Sequence, residues 1–130
     1  MQVISSRTIL RPTDYDTTVR FYRDALTLPI YREYPGGTVL WAGQGLIEIA
    51  AHGTTSPHKS FTGALWLQVR EVTAAEQELR AQGVEIVREP RKEPWGLVEM
   101  WVEDPDGIPI VFVEIPPDHP LRRDVRPAHT

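Results

Sequence analysis

The residues best suited to chemistry in this chain are two carboxylates and a group of large aromatic side chains. Glu48 and Glu99 each lie within an apolar run, where burial could suit a carboxylate to act as a general base. Indole faces stack on planar molecules and make cation–π contacts. The chain has a high number of tryptophans for 130 residues: Trp41, Trp66, Trp95 and Trp101. These residue types indicate either binding of a planar ligand or acid–base catalysis.

Two of the tryptophans belong to a hairpin pattern over residues 95–113, WGLVEMWVEDPDGIPIVFV. Asp-Pro-Asp-Gly predicts a turn, because Pro105 presets φ and Gly107 tolerates a positive φ. Alternation places Leu97, Glu99 and Trp101 on one face of the first strand. A face with a carboxylate, a large aromatic and small apolar groups suits a pocket better than a core.

Other catalytic patterns are absent from the sequence. Serine-nucleophile, phosphate-loop and dinucleotide-binding motifs do not occur. With no cysteine, the chain has no disulfide, thiol nucleophile or cysteine-ligated metal. Of the histidines, only His52, just past the run that contains Glu48, could reach a pocket as an acid or base. None of the four has a spacing typical of a metal site: His52, His58, His119 and His129.

The composition is that of a soluble globular protein, with 41% hydrophobic and 25% charged residues. The formal net charge is −4 and no long run of Lys and Arg occurs, so we expect no nucleic acid partner. No apolar run approaches the length of a membrane span. Residues 1–10 lack the apolar core of a signal peptide. We therefore expect a cytoplasmic protein with no membrane contact.

The first module, residues 1–52, must position Glu48. Asp14 is an N-cap candidate for a helix over residues 15–26, in which apolar residues recur at three and four positions. Alternating apolar runs and Pro/Gly turns predict strands at residues 1–10, 30–34, 38–42 and 46–50. The order is therefore strand, helix and three strands.

The second module, residues 62–115, repeats this order after a polar linker or mobile loop at residues 53–61. A strand is predicted at residues 63–69. Thr73 and Glu76 form a capping-box pattern for a helix that ends at about residue 82, before Gly83. A strand at residues 84–87 and a charged loop at residues 89–94 precede the hairpin. The Pro-rich tail, residues 116–130, is either disordered or extended over a partner subunit.

This repeat of architecture predicts an α+β fold. Two βαβββ modules would form a curved, mostly antiparallel, eight-stranded sheet. The helices would cover its outside and leave a cup inside. On the cup face, alternation places Arg7 and Glu48 in the first module, and Trp66, Glu99, Trp101 and Val111 in the second.

Three motifs resemble the vicinal oxygen chelate superfamily, which includes glyoxalase I, extradiol dioxygenases and bleomycin resistance proteins. The motifs are TTVRFYRDALTLPI, GALWLQVREVTAAEQELRAQGVEI and PWGLVEMWVEDPDGIPIVF. They occur in the family's order and cover nearly the whole chain up to Pro116. The closing hairpin is most similar to the antibiotic-binding branch, because Trp95-Gly96 is followed by Glu99 and then by the Asp-Pro-Asp-Gly turn.

The resemblance also locates the positions from which the family's enzymes bind a metal. The first-strand position, usually His or Gln, corresponds to Arg7, and the fourth-strand position corresponds to Glu48. The matching positions of the second module are Ala64 and Val111. A divalent cation needs several converging N or O donors, and arginine cannot donate a lone pair. We therefore expect no metal and no other cofactor.

Arg7 and Glu48 are instead expected to pair across the sheet, because charges in a concave, partly dry site need mutual satisfaction. The alternative is an ordinary exposed ion pair at the sheet rim. Trp66 and Trp101, on the same predicted face, would stack on a ligand, and Trp41 and Trp95 are further candidates. The alternative for any single tryptophan is packing in a core or a dimer interface.

These features predict a metal-free protein that binds a hydrophobic or planar, possibly cationic, small molecule such as an antibiotic, as bleomycin resistance proteins do. Glu48 and Glu99 would balance positive charge on the ligand, and Arg7 would orient its polar groups. The resemblance also implies a homodimer, with the cup within one chain or shared between two. The alternatives are a glyoxalase-like lyase or isomerase that acts on a small carbonyl compound, and a regulatory or structural dimer with an empty cup.

Overall fold

The computed structural model describes residues 1–51 and 61–120. The chain divides into two compact units, one of Met1–Leu65 with Glu103–Pro109, and the other of Trp66–Val102 with Ile110–Thr130. Residues 53–60 of the predicted linker, residues 121–130 of the predicted tail, and His52, His58 and His129 lie outside the described residues.

The first sheet, sheet 1, has the order β1-β4-β3-β2. β1 is parallel to β4, and β3 is antiparallel to both β4 and β2. One α-helix continues into a π-helical turn that ends before Pro29. The elements are β1 (Thr8–Leu10), α1 (Tyr15–Arg20), the π-helical turn (Phe21–Ala25), β2 (Ile30–Tyr34), β3 (Gly37–Ala42) and β4 (Gly45–Ala50).

The predicted helix start is confirmed in the first unit. The Asp14 carboxylate accepts a hydrogen bond from the backbone N–H of Thr17 at 3.1 Å. The first strand is shorter than predicted, since only the last three of residues 1–10 pair with β4. Helix and sheet bury a shared apolar core that includes Leu10, Val19, Tyr22, Leu40 and Ile49.

The second sheet, sheet 2, has the order β5-β8-β7-β6. Its apolar residues include a buried cluster of Leu97, Val111, Val113 and Ile115, with Trp101 packed against it. The elements are β5 (Leu65–Gln68), α2 (Val72–Ala81), β6 (Arg88–Lys92), β7 (Val98–Glu103) and β8 (Pro109–Glu114). Together the two sets of elements confirm the α+β fold with two βαβββ modules. The eight strands of the described residues form two four-stranded sheets.

Two local predictions for the second module are wrong. The strand predicted at residues 84–87 lies at Arg88–Lys92, in the segment predicted to be a loop. This segment pairs with β7 through an irregular register around Pro90, which an edge strand tolerates. The capping box is also absent: α2 begins at Val72, and its N-cap residue Glu71 makes no side-chain capping bond. The Glu114 carboxylate instead accepts a hydrogen bond from the Val72 N–H at 2.9 Å.

The predicted Asp-Pro-Asp-Gly turn is present and groups with the first unit. Gly107 has a φ of 81°, as the turn requires. Buried Asp104 accepts backbone bonds from Asp106 and Ile108 at 2.8 and 2.9 Å, and a bond from the Tyr22 hydroxyl at 2.9 Å. The turn therefore fastens to the helical segment of that unit. Neither helix in the described ranges has the length and apolar character needed to cross a membrane.

Candidate functional site

Arg7 and Glu48 form an ion pair in the first unit, with 2.8 Å between Nη1 and Oε1. Glu48 lies on β4 opposite Ile9 of β1, and alternation brings Arg7 to the same face of the sheet. The Glu48 side chain is 11% exposed and that of Arg7 is 37% exposed. The predicted pairing is confirmed, and the carboxylate is the more buried partner.

Tyr34 also binds Glu48, a contact that the sequence did not predict. The Tyr34 hydroxyl donates a hydrogen bond to Glu48 Oε2, so each carboxylate oxygen has a partner. The ring lies over Gly37, its register partner on β3, where a Cβ atom would collide with it. The available signal was Gly37 itself, since a glycine inside a strand indicates close approach by another group.

This hydrogen bond changes the acidity of Tyr34. The hydrogen bond to Glu48 raises the pKa of the Tyr34 hydroxyl above its ordinary value of 10, and partial burial and the negative charge of Glu48 act in the same direction. Tyr34 therefore stays protonated, and remains a donor to Glu48, throughout the neutral pH range. The guanidinium of Arg32 lies over the same ring, 5.1 Å from its centroid. We call this side of sheet 1, with Arg7, Arg32, Tyr34 and Glu48, the Glu48 face.

Exposed apolar side chains border these polar groups. Trp41 is 39% exposed, and its ring meets that of Tyr31 edge to face at a centroid distance of 4.8 Å. Ile9, the register partner of Glu48, is also exposed. The Glu48 face thus combines a neutralised buried carboxylate with accessible apolar surface.

In the second unit, Trp95 and Glu99 lie together. The indole Nε1 of Trp95 donates to Glu99 Oε2 at 2.8 Å. Glu99 is buried, whereas Trp95 is 58% exposed. His119 Nε2 contacts the Trp95 carbonyl oxygen at 3.0 Å, over the tight turn at Gly96. An exposed indole is therefore fixed in place by a buried carboxylate.

The other predicted residues of this unit differ in exposure. Trp66 on β5 is 50% exposed. Val111 is buried in the apolar cluster of sheet 2, and Trp101 is partly buried against that cluster. Trp66 and Trp95 thus present more surface to a ligand than Trp101.

The four positions that the family resemblance assigns to metal ligands do not fit a metal ion in this chain. Arg7 has no lone pair to donate, and both oxygens of Glu48 accept hydrogen bonds. The other two positions hold Ala64 and Val111, which have no donor atoms in their side chains. Within residues 1–51 and 61–120, no three His, Cys, Asp or Glu side chains converge.

The fold and these positions define a two-module α+β protein, and the comparison with known families identifies its class. The model of the Glyoxalase/Bleomycin resistance protein/Dioxygenase superfamily matches residues 5–112. The chain belongs to this superfamily, as its sequence motifs indicated. The comparison with curated proteins finds no significant match.

Solved structures with the same fold include proteins with different names. Lactoylglutathione lyase from Agrobacterium tumefaciens has a TM-score of 0.63 and 18% identity, over 88% of this chain and 94% of that chain. TioX from Micromonospora sp. ML1 has a TM-score of 0.68 and 21% identity, over 85% and 98%. A member of the superfamily from Sphaerobacter thermophilus DSM 20745 has a TM-score of 0.70 and 20% identity, over 85% and 98%. At these identities the likeness concerns the fold.

Proposed function

We propose that this protein binds a planar, largely hydrophobic small molecule without a metal, in the manner of the bleomycin resistance branch of its superfamily. The observation that carries the proposal is the Trp95 indole, which is more than half exposed and yet fixed by a 2.8 Å bond to buried Glu99. An aromatic surface that is already ordered loses little conformational entropy when a ligand stacks on it.

The exposed surface of Trp66 supports the same proposal. A half-exposed indole on a strand costs hydration free energy unless something covers it, and stacking on a planar ligand would do so. Trp41 supplies a similar surface in the first unit. Trp101 and Val111, which pack in the apolar cluster of sheet 2, would contribute shape rather than stacking.

The composition of the family's metal positions favours binding over metal-assisted catalysis. One carboxylate remains, and Arg7 and Tyr34 occupy its two oxygens. A homodimer and a cytoplasmic location stay predictions that accompany this proposal.

Isothermal titration calorimetry with naphthalene-2-carboxamide, 2-naphthoate, 2-naphthyl phosphate and 2-naphthylmethylammonium tests the proposal. We expect at least one of these probes to bind the protein. Replacing Trp66→Ala should weaken that binding about fivefold to tenfold, which corresponds to about 1 kcal/mol of lost stacking.

Val87→Ala is the matched control, because Val87 is an exposed apolar residue of the second unit that the proposal does not use. It should leave the dissociation constant unchanged. Binding that Trp66→Ala and Val87→Ala weaken equally would contradict a stacking role for Trp66. Failure of all four probes to bind would contradict the proposed function.

The alternative, a lyase or isomerase, is tested by metal retention. If the binding proposal is right, protein incubated with Zn²⁺, Ni²⁺ or Mn²⁺ and then dialysed should retain no stoichiometric metal in elemental analysis. Lactoylglutathione lyase activity in the metal-treated protein, together with one bound metal per chain, would establish the enzyme and overturn the binding proposal.

A further inference from the structure

We infer that the Glu48 face of the first unit binds an oxyanion, a carboxylate or phosphate of an aromatic ligand that lies against Ile9 and Trp41, through Arg7 and Arg32. This inference rests on the proposed function and gives the ligand a charge. The sign of the ligand's charge is opposite to the one expected from the sequence, which predicted that Glu48 and Glu99 would balance a cationic ligand.

The first step is the hydrogen-bonding capacity of Arg7. A guanidinium group has five N–H donors in a planar fork. In the part of the chain that the structure describes, Arg7 donates one hydrogen bond, from Nη1 to Glu48. Because 37% of its side chain is exposed, the outer edge of the guanidinium can meet a ligand oxyanion.

The second step is the fixed position of this guanidinium. Glu48 is anchored on its other oxygen by Tyr34, whose ring is seated over Gly37. A carboxylate held from two sides orients the arginine that it binds, and the arginine is then prepared for a second, external oxyanion.

The third step is the balance of charge. Val39 is the register partner of both Arg32 and Glu48, so all three residues share one face of sheet 1. Among the described residues of sheet 1 that define the Glu48 face, two guanidinium groups therefore accompany one carboxylate. Glu33, the acidic residue of β2, does not add negative charge to this face. By strand alternation it points to the opposite side of the sheet, and it lies near Arg23.

The adjacent apolar surface defines the rest of the ligand class. Ile9 and Trp41 lie on the same side of sheet 1 as Glu48 and are both exposed. An oxyanion beside exposed apolar side chains suits an aromatic acid or an aryl phosphate. An ammonium group at the same place would face net positive charge.

The four naphthalene probes separate the alternatives when they are titrated into the full chain at low ionic strength. We expect 2-naphthoate or 2-naphthyl phosphate to bind about tenfold more tightly than naphthalene-2-carboxamide, and the ammonium probe to bind most weakly. The tighter of the two anions identifies the oxyanion as carboxylate or phosphate. The preference for the anion should shrink as salt is added, because Arg32 is exposed.

Arg7→Gln should abolish the preference for the anion while the amide probe still binds. Because this change also removes a partner of buried Glu48, circular dichroism must show that the variant folds. Arg32→Gln, at an exposed position, tests the same charge without that risk and should reduce the preference about threefold. Arg20→Gln, on α1, is the control of equal charge change and should retain the full preference.

Equal binding of amide and anions, tightest binding of the ammonium probe, or an anion preference that survives both Arg7→Gln and Arg32→Gln would overturn the inference and leave the proposed function standing. Failure of every probe to bind wild-type protein would overturn the proposed function, and this inference with it.

Discussion

Glu48 is held in the first unit by residues from separate segments of the chain. Arg7 precedes β1, Tyr34 ends β2, and Glu48 lies on β4. A buried carboxylate is costly to desolvate, and two hydrogen-bond donors offset that cost. Tyr34 reaches the carboxylate because Gly37 leaves room for its ring on β3. The whole arrangement therefore depends on a residue that has no side chain.

Gly37→Ala tests this dependence. The new methyl group would collide with the Tyr34 ring, so the ring must move and Glu48 loses a donor. We expect the free energy of unfolding, measured by urea denaturation, to fall by about 1–3 kcal/mol. In a Tyr34→Ala background there is no ring to displace, and the same substitution should cost less than about 0.5 kcal/mol. An equal cost in both backgrounds would show that the Tyr34 contact is not the reason for the glycine.

Part of this site was predictable from the sequence. Alternation with a period of two placed Arg7 and Glu48 on one face, and their opposite charges predicted that they form an ion pair. The Tyr34 contact was not predictable in the same way, since it depends on the register of β2 against β3 and on a bulge between Ile30 and Arg32. The Trp95 bond to Glu99 was missed for a similar reason, because Trp95 lies in the turn before β7, outside the alternating pattern.

Among the elements, α2 shows how a distant strand can define a helix start. Thr73 is the predicted capping residue and Glu71 occupies the N-cap position, yet the acceptor for the Val72 N–H is Glu114 at the end of β8. A carboxylate at this end also interacts favourably with the helix dipole. The end of α2 follows the local signal, with Gly83 at a φ of 78°.

Glu114→Ala should therefore destabilise the protein by about 1 kcal/mol in urea denaturation, the usual cost of losing an N-terminal cap. Glu114→Gln keeps an acceptor oxygen without the charge and should cost about half as much. Thr73→Ala is the control, because Thr73 lies inside the helix and should change stability by less than about 0.5 kcal/mol. A larger loss of stability for Thr73→Ala than for Glu114→Ala would instead support the capping box predicted from the sequence.

The elements that the sequence predicted well are those with strong local signals, such as β3, β4 and the two strands of the final hairpin. β6 was misplaced because its residues, Arg88–Lys92, are charged and contain a proline. Its position follows from tertiary contacts: buried Glu93, just after the strand, pairs with Arg88 and Arg91. Hydrophobic periodicity carries no information about such an ionic cluster.

At the scale of the whole molecule, the two modules repeat one architecture with different chemistry. By the resemblance to the superfamily, the position of Glu48 in the first module is expected to correspond to Val111 in the second, and that of Arg7 to Ala64. One sheet therefore carries an ionic centre, whereas the other carries an apolar cluster. The repeat was predictable from the order of elements, and this chemical asymmetry was visible in the residue types at matched positions.

Each unit also contains a carboxylate whose pKa lies below its ordinary value. Hydrogen bonds from Thr17 lower the pKa of Asp14 in the first unit, and those from Arg88 and Arg91 lower the pKa of Glu93 in the second. Such a group stabilises the folded state fully above its pKa in the unfolded chain. Its contribution is lost as the pH falls through the lower pKa of the folded state. Acid should therefore weaken both units.

We expect the free energy of unfolding to be constant between about pH 5 and pH 7 and to decline from pH 5 to pH 3, as measured by urea denaturation at each pH. Glu93→Gln removes the charge that Arg88 and Arg91 bind, so it should destabilise the protein at pH 7. The difference from wild type should narrow as the pH falls, because Glu93 of the wild-type protein then takes up a proton. Asp14→Asn is the comparison variant, because asparagine still caps a helix but does not titrate. A deficit of Glu93→Gln that is constant from pH 7 to pH 3, or that widens in acid, would contradict the role assigned to this carboxylate.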